Sequence, residues 1–265
     1  MRNVRILVAY DGSAFYGWQR QDGFETVQEA LEEALLALTG EHITIRGSGR
    51  TDTGVHALGQ VANFHIESRL NDNRLWHALN AYLPSGVTIR SLETCRDDFH
   101  AQYDACGKRY IYLVRTHRYP LPFGQSFTHF IRDPLDLAAM RAAAEVLSGT
   151  HDFRAFSNAG SPRKTSVRRV STIRILARRE SLAFVVSGSG FLYRMVRVIA
   201  GTLLEVGRGK LSPEKVAEIL ESGDRKLAGA TAPAEGLYLL SVRYPEPTFV
   251  GLPRDPRGVP GAFQL

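Results

Sequence analysis

The densest polar cluster in the chain is Gly47-Ser48-Gly49-Arg50-Thr51-Asp52-Thr53-Gly54-Val55-His56. Three glycines within eight residues mark backbone in angles other residues avoid, or backbone that a neighbour approaches closely. The run lacks the Lys-Ser/Thr ending of a phosphate-binding P-loop. Asp52 and His56 stand four apart, without a His-Glu-x-x-His pattern or a third metal ligand. What remains is a carboxylate, Asp52, beside a guanidinium, Arg50, in a tight loop. A carboxylate so placed acts as nucleophile or general base when a cation keeps it ionised. The same residue in the same loop can instead satisfy its own turn amides.

Three further segments hold groups of chemical interest. In Gly107-Lys108-Arg109-Tyr110-Ile111-Tyr112, Tyr110 and Tyr112 fall on one face of a strand. Interleaved cations and rings suit a phosphate contact with a base stacked on a ring, and equally an aromatic pair filling a core. In Gly188-Ser189-Gly190-Phe191-Leu192-Tyr193-Arg194-Met195-Val196-Arg197 a strand exit feeds a helix. Arg194 and Arg197 are three apart on one face of that helix, able to meet a carboxylate or phosphates or to form a solvated basic edge. The loop over 12–28 presents Phe15, Tyr16, Trp18, Gln19, Arg20 and Gln21. Loops after strands often bind ligands, while Trp18 could simply fold this one onto the core.

The elements that must position these groups follow from pattern. Residues 4–10 are apolar and β-branched and close on Asp11-Gly12, a strand and turn. Residues 26–38 form a helix: Thr26 and Glu29 have capping-box spacing, and Val27, Leu31, Ala34, Leu35 and Leu38 recur on one face. Strands are expected over 42–46 and 60–65, a helix over 71–82 and a strand over 87–92. The second half repeats the order: strand 109–115, helix 136–147, a hairpin of 167–176 and 182–187 across Arg178-Arg179-Glu180, helix 191–205, and strand 237–243. Ser212-Pro213 starts an additional helix. Each half reads strand, helix, strand, strand, helix, strand, the split βαβ or ferredoxin-like order. The expected fold is α+β, two tandem ferredoxin-like halves facing each other across a central basic cleft. The halves are 1–105 and 106–244, followed by a Pro/Gly-rich tail over 245–265.

The chain has 265 residues, 44% hydrophobic and 23% charged, the composition of a folded soluble protein. Its 33 basic residues (28 Arg, 5 Lys) exceed its 27 acidic ones, net +6. Residues 1–105 hold 9 basic and 14 acidic residues; 106–265 hold 24 and 13. Between 154 and 197 there are ten basic residues and one acid, Glu180. Such a run fits a polyanionic partner or a solvated basic face. Two cysteines, Cys95 and Cys106, cannot staple a chain of this size, so a reducing compartment fits best. The apolar run after Met1 is too short for a signal peptide, and apolar stretches fall short of the roughly 20 residues of a membrane span. These features describe a cytoplasmic protein with no membrane association.

The stretches YDGSAFYGWQRQ, VQEALEEAL, GRTDTGVHALGQVANF, KRYIYLV, GSGFLYRMVRVIAGTLLEVGRG and APAEGLYLLSV, in that order over residues 5–244, closely resemble the tRNA pseudouridine synthase A family. GRTDTGVHA is the most specific of them. The resemblance implies isomerisation of uridine to pseudouridine at positions 38 to 40 of the tRNA anticodon stem-loop. It also implies a homodimer with positively charged clefts, and no metal or organic cofactor. It places the family's catalytic aspartate on Asp52, its active-site tyrosine on Tyr110 and the aspartate's basic partner on Arg197. Arg50, His56, Lys108 and Arg194, together with Tyr110, are the expected substrate contacts; Arg50 and His56 fit structural support equally well. Asp52 could attack C1′, attack uracil C6, or promote a glycal route. Two rival classes are a non-catalytic RNA-binding protein of tandem ferredoxin-like units and a small-molecule glycoside-cleaving enzyme. The second needs a partner carboxylate, and none is apparent.

Overall fold

Alternating burial at the N-terminus makes the first strand: β1 (Arg2–Tyr10) turns Val4, Ile6 and Val8 fully inward. Helix α1 (Val27–Thr39) starts where the Thr26 hydroxyl accepts the Glu29 N–H, and ends at Gly40 in the left-handed region, φ 76°. Then come β2 (Arg46–Gly47), β3 (His56–Ile66), α2 (Asp72–Tyr82), capped by the Asn71 side chain, and β4 (Val87–Thr94). β1 lies between β4 and β3, antiparallel to both, and β2 pairs antiparallel with β3. The order β4-β1-β3-β2 is that of a ferredoxin-like unit. The computed structural model describes residues 1–120, 122–158 and 165–249.

The strand expected over 42–46 shrinks to Arg46–Gly47. The Ile45 backbone groups are taken by α1. The Ile45 N–H donates to the Glu32 carboxylate at 3.0 Å, and the Gln28 amide donates to the Ile45 carbonyl at 3.2 Å. A chain paired with helix side chains has nothing left for a sheet ladder. β3 correspondingly starts at His56 rather than 60.

The second unit contains β5 (Gly107–Thr116), β6 (His129–Ile131), α3 (Leu137–Val146), β7 (Gly149–Asp152), β8 (Val167–Arg178), β9 (Ser181–Gly188), α4 (Met195–Gly207) and α5 (Pro213–Ser222). Its sheet runs β5-β9-β8-β7 with antiparallel neighbours, and β6 adds in parallel to β5. α3 packs on β8, α4 and α5. Asp136 caps α3, and Ser212 with Pro213 at the first helical position opens α5. The hairpin turns at Arg179, φ 49°, and Glu180. Short strands β6 and β7 are absent from the six-element sequence reading.

The helix expected over 191–205 begins only at Met195. Leu192 closes a turn onto the Met195 N–H, and Arg194 takes a left-handed φ of 59°. Arg194 therefore precedes the helix and does not share a helical face with Arg197, as the three-residue spacing implied.

By contacts the chain forms two compact units, Met1–Cys106 with the described residues from Tyr238 on, and Gly107–Leu237. The last strand, β10 (Leu237–Arg243), pairs in parallel with β3, Tyr238 opposite His56 and Leu239 opposite Ala57. Beyond it, the Tyr244 hydroxyl donates to the Ala101 carbonyl at 2.6 Å, Arg5 to the Pro247 carbonyl at 3.2 Å, and the Phe249 N–H to Glu93 at 2.6 Å. The segment from Tyr238 to Phe249 thus groups with the first unit, whereas the sequence reading carried the second half to 244. The rest of the expected tail, 250–265, lies outside the described residues. Among those residues no helix is long and apolar enough to cross a membrane.

Candidate active site

Asp52 sits half-buried on a loop pinned from four sides. Before it, the Thr51 hydroxyl shares a buried 2.9 Å hydrogen bond with the Tyr10 hydroxyl, and the Thr51 carbonyl accepts the Trp18 N–H at 3.1 Å. After it, the Val55 N–H closes a turn onto the Asp52 carbonyl at 3.1 Å. Ser48 donates its N–H to Val61 and its hydroxyl to Gln60, and the Gln60 amide donates to the Gly49 carbonyl at 2.9 Å. Two glycines outside the loop allow this close approach. A Cβ on Gly12 would run into the Val55 carbonyl, and one on Gly17, φ +88°, would stand 2.6 Å from the Thr51 oxygen. Within the loop, Gly47 lies against the indole of Trp18, which is only 3% exposed. Such bracing fixes the loop that carries the carboxylate.

His56 is enclosed just after the loop. Its Nδ1 lies 3.0 Å from the Gly12 N–H. Its ring stacks on Tyr238 at 4.6 Å, and Asp11 Oδ1 lies 3.2 Å from Nδ1. Burial, with Asp11 adding, holds the Tyr238 phenol above its usual range. His56 thus ties three chain segments together. Arg50 is exposed at the loop surface.

In the second unit Tyr110 lies on β5 opposite Val186, 9% exposed, with Phe191 edge-on at 5.3 Å. Tyr112, expected on the same face, is fully buried; its hydroxyl donates to the Pro233 carbonyl at 3.0 Å and lies 3.1 Å from His129 Nδ1. Burial raises its phenol pKa. Lys108 is half-buried on β5, and the Arg194 guanidinium stands 4.8 Å over the Tyr193 ring.

Arg197 occupies the first turn of α4. Its Nε donates to the Ala232 carbonyl at 2.8 Å, and the Ala232 N–H returns a bond to the Arg197 carbonyl at 3.1 Å. Behind Ala232 stands Arg225, unnoticed in the sequence. It donates to the Gly229 carbonyl at 3.0 Å, the Thr231 hydroxyl at 3.1 Å and Asn158 Oδ1 at 3.2 Å. Burial holds its guanidinium below the usual arginine pKa. Gly201 lets the Ala230 carbonyl approach α4 where a Cβ would block it. A cation beside Lys226 in a polar stretch gives no sequence signal of such a hub.

The basic run resolves into parts. Arg154 pairs with Asp152 at 2.7 Å. Arg169, Arg174, Arg178 and Arg179 are exposed on or beside β8. Arg163 and Lys164 lie outside the described residues. Among the described residues no group of three or more His, Cys, Asp or Glu side chains is placed to hold a metal ion.

Asp52, Arg50 and His56 thus belong to the first unit, and Tyr110, Lys108, Arg194 and Arg197 to the second. A family model described as tRNA pseudouridine synthase matches residues 6–104 and 143–245. The tRNA pseudouridine synthase A of Acetivibrio thermocellus is 46% identical over 244 residues, 92% of this chain and 100% of the relative. That of Thermoanaerobacter sp. (strain X514) is 43% identical at the same coverage of each chain, 92% and 100%. The tRNA pseudouridine synthase A 2 of Clostridium perfringens is 42% identical, again over 92% and 100%. Among solved structures, one chain in the crystal structure of a Cbf5-Nop10-Gar1 complex matches 76% of this chain and 45% of its own length, at 16% identity and TM-score 0.35. The chain belongs to the tRNA pseudouridine synthase family, a family of isomerases.

Proposed function

We propose that this chain isomerises uridine to pseudouridine in tRNA, at positions 38 to 40 of the anticodon stem-loop. Asp52 is the reacting carboxylate, Arg197 its cationic partner, and Tyr110 the ring against the target uracil. The observation that carries this reading is Asp52 on a loop clamped through Thr51 by Tyr10 and Trp18, in the most family-specific stretch of the chain.

The reaction breaks the C1′–N1 bond, turns the uracil and joins C1′ to C5; the C5 proton leaves and N1 is protonated. The detached base must be held throughout. An ionised Asp52 can add to C1′, as carboxylates do in retaining glycosidases, add to uracil C6, or draw off the C2′ proton toward a glycal. All three need a carboxylate that stays where it is put. A phenol is a poor base at neutral pH, so Tyr110 serves chiefly as a stacking surface. The target uridine must be flipped out of its stem-loop, which costs a few kcal/mol. Arginines along β8 supply bidentate phosphate contacts that offset this cost. Arg50, His56, Lys108 and Arg194 complete the surroundings of the substrate as contacts or support. The reading includes a cytoplasmic homodimer, with no metal or organic cofactor.

The test is incubation of unmodified, uridine-containing tRNA with the protein, followed by mapping of pseudouridine. Asp52→Asn is expected to abolish turnover while tRNA binding survives; retained turnover would remove Asp52 from the chemistry. Binding without product in the wild type would favour the non-catalytic RNA-binding alternative.

A further inference from the structure

The loop between β1 and α1 displays two rings that the reaction above does not use. Tyr16 is 51% exposed and Phe24 45%, and their centroids lie 4.5 Å apart at an interplanar angle of 46°. They are not overflow from the core, because the neighbouring Phe15 and Trp18 fill the inward side at 5% and 3% exposure.

The rings stand on a rigid base. The Tyr16 N–H donates to the Glu25 carbonyl at 2.8 Å and the Gln21 amide to the Tyr16 carbonyl at 3.3 Å. Val27 and Gln28 of α1 donate their N–H groups to Gly17 and Trp18, at 3.2 and 2.9 Å. The Arg20 guanidinium is tied to Glu32 at 2.9 Å and its N–H to Gln28 at 3.2 Å. A platform ordered in advance gives up little entropy when a planar ligand lands on it.

Two observations identify the ligand. Gly17, the next residue after Tyr16, packs on the Thr51 carbonyl and the Asp52 backbone, so the platform is anchored to the loop that holds the reacting carboxylate. The tip itself is acidic: Asp22 and Glu25 are exposed, and Arg20 is engaged with Glu32. A phosphate is repelled there, whereas the uncharged face of a base is not. Exposed Gln19 and Gln21 add amides suited to base edges.

We propose that Tyr16 and Phe24 form a stacking platform for an unpaired nucleobase adjacent to the uridine being isomerised. This rests on the tRNA reading above. The experiment compares wild type, Tyr16→Ala/Phe24→Ala, Tyr16→Leu/Phe24→Leu and Tyr16→Trp on an anticodon stem-loop RNA, and on the same RNA made abasic at each position flanking the target. Wild-type pseudouridine formation is the control, and its absence would condemn the tRNA reading rather than the platform. With an active wild type, both ring-less variants are expected to lose about tenfold in kcat/KM on the intact RNA, the scale of one base–aromatic stack. Tyr16→Trp is expected to retain activity. The loss should vanish on one of the abasic RNAs. Thermal melting checks the fold, and the Leu variants decide if the Ala variant does not fold. Ring-less variants that match wild type on intact RNA would overturn the proposal. So would an equal loss on every abasic RNA, or a change in oligomeric state with kcat/KM unaltered, which would assign the rings to a protein contact.

Discussion

Gly17→Ala puts the bracing of Asp52 to a quantitative test. At φ +88° the new methyl would sit 2.6 Å from the Thr51 oxygen and 3.2 Å from the Asp52 carbonyl carbon. Both are backbone atoms, so no flexible side chain can swing aside. The left-handed backbone costs about 1–2 kcal/mol for a residue with a Cβ. Overpacking against fixed atoms adds about 1–3 kcal/mol, giving about 2–5 kcal/mol in total. Gly40→Ala is the matched control. It has φ +76° with nothing within 4 Å of the added Cβ, so only the first cost of about 1–2 kcal/mol applies. In melting experiments Gly17→Ala should fall below Gly40→Ala by about 2–4 °C for each kcal/mol of difference. If the loop yields to relieve the clash, the carboxylate moves with it, and a shift of about 1 Å costs on the order of 100-fold in turnover. Single-turnover pseudouridine assays should therefore show a depressed rate for Gly17→Ala and wild-type rates for Gly40→Ala. Equal melting of the two variants together with full activity of Gly17→Ala would refute the bracing argument.

Three other outcomes follow from the second unit. Burial, with the Arg208 charge adding, pushes the His129 imidazole down to about 4. The unfolded chain takes up this proton near pH 6.5 and the folded one only near 4. Stability should then fall as pH drops through that window, by at most about 1.4 kcal/mol per unit. Melting curves of His129→Gln should show a shallower acid slope than wild type between pH 6.5 and 4. Arg225→Ala removes the donors that hold Gly229 and Thr231, and is expected to cost about 2–3 kcal/mol and to lower kcat by freeing the carbonyl under Arg197. Denaturant titration and single-turnover rates measure the two effects, and Arg225→Lys should recover little because it lacks the fork. Arg174→Ala on exposed β8 should weaken tRNA binding and reduce the slope of log affinity against log salt by about 0.7–0.9; an unchanged slope would take Arg174 off the RNA.

Local chemistry made much of the fold legible. Thr26, Asn71, Asp136 and Ser212 announce four helix starts that the structure places within a residue of expectation, because a cap acts over three residues. Ile45 looks like a strand residue in sequence because its partners, Glu32 and Gln28, lie on a helix more than a dozen residues away. The late start of α4 depends on a left-handed Arg194, a conformation no propensity favours. Glycine density exposed the Asp52 loop, yet its braces are Tyr10, Trp18 and Gln60, which read as ordinary strand and core residues. Arg225 carries no signal for the converse reason, since a half-buried arginine bonded to backbone looks, in sequence, like any surface cation.

The pairing of β10 with β3 sets a timetable. The first unit is interrupted after Cys106 and resumes at Tyr238, so about 130 residues emerge in between. At about 5–20 residues per second, a ribosome needs roughly 7–26 s to deliver them. Throughout that interval His56 lacks its stacking partner Tyr238, Ala101 lacks the Tyr244 hydroxyl and β3 lacks its pairing at His56 and Ala57. The nascent chain thus holds its aspartate on an unfinished support while the arginine-rich half is being made. A finished Asp52 loop becomes a property of the nearly complete polypeptide, and fragments ending before residue 238 should be inert however well their first hundred residues fold.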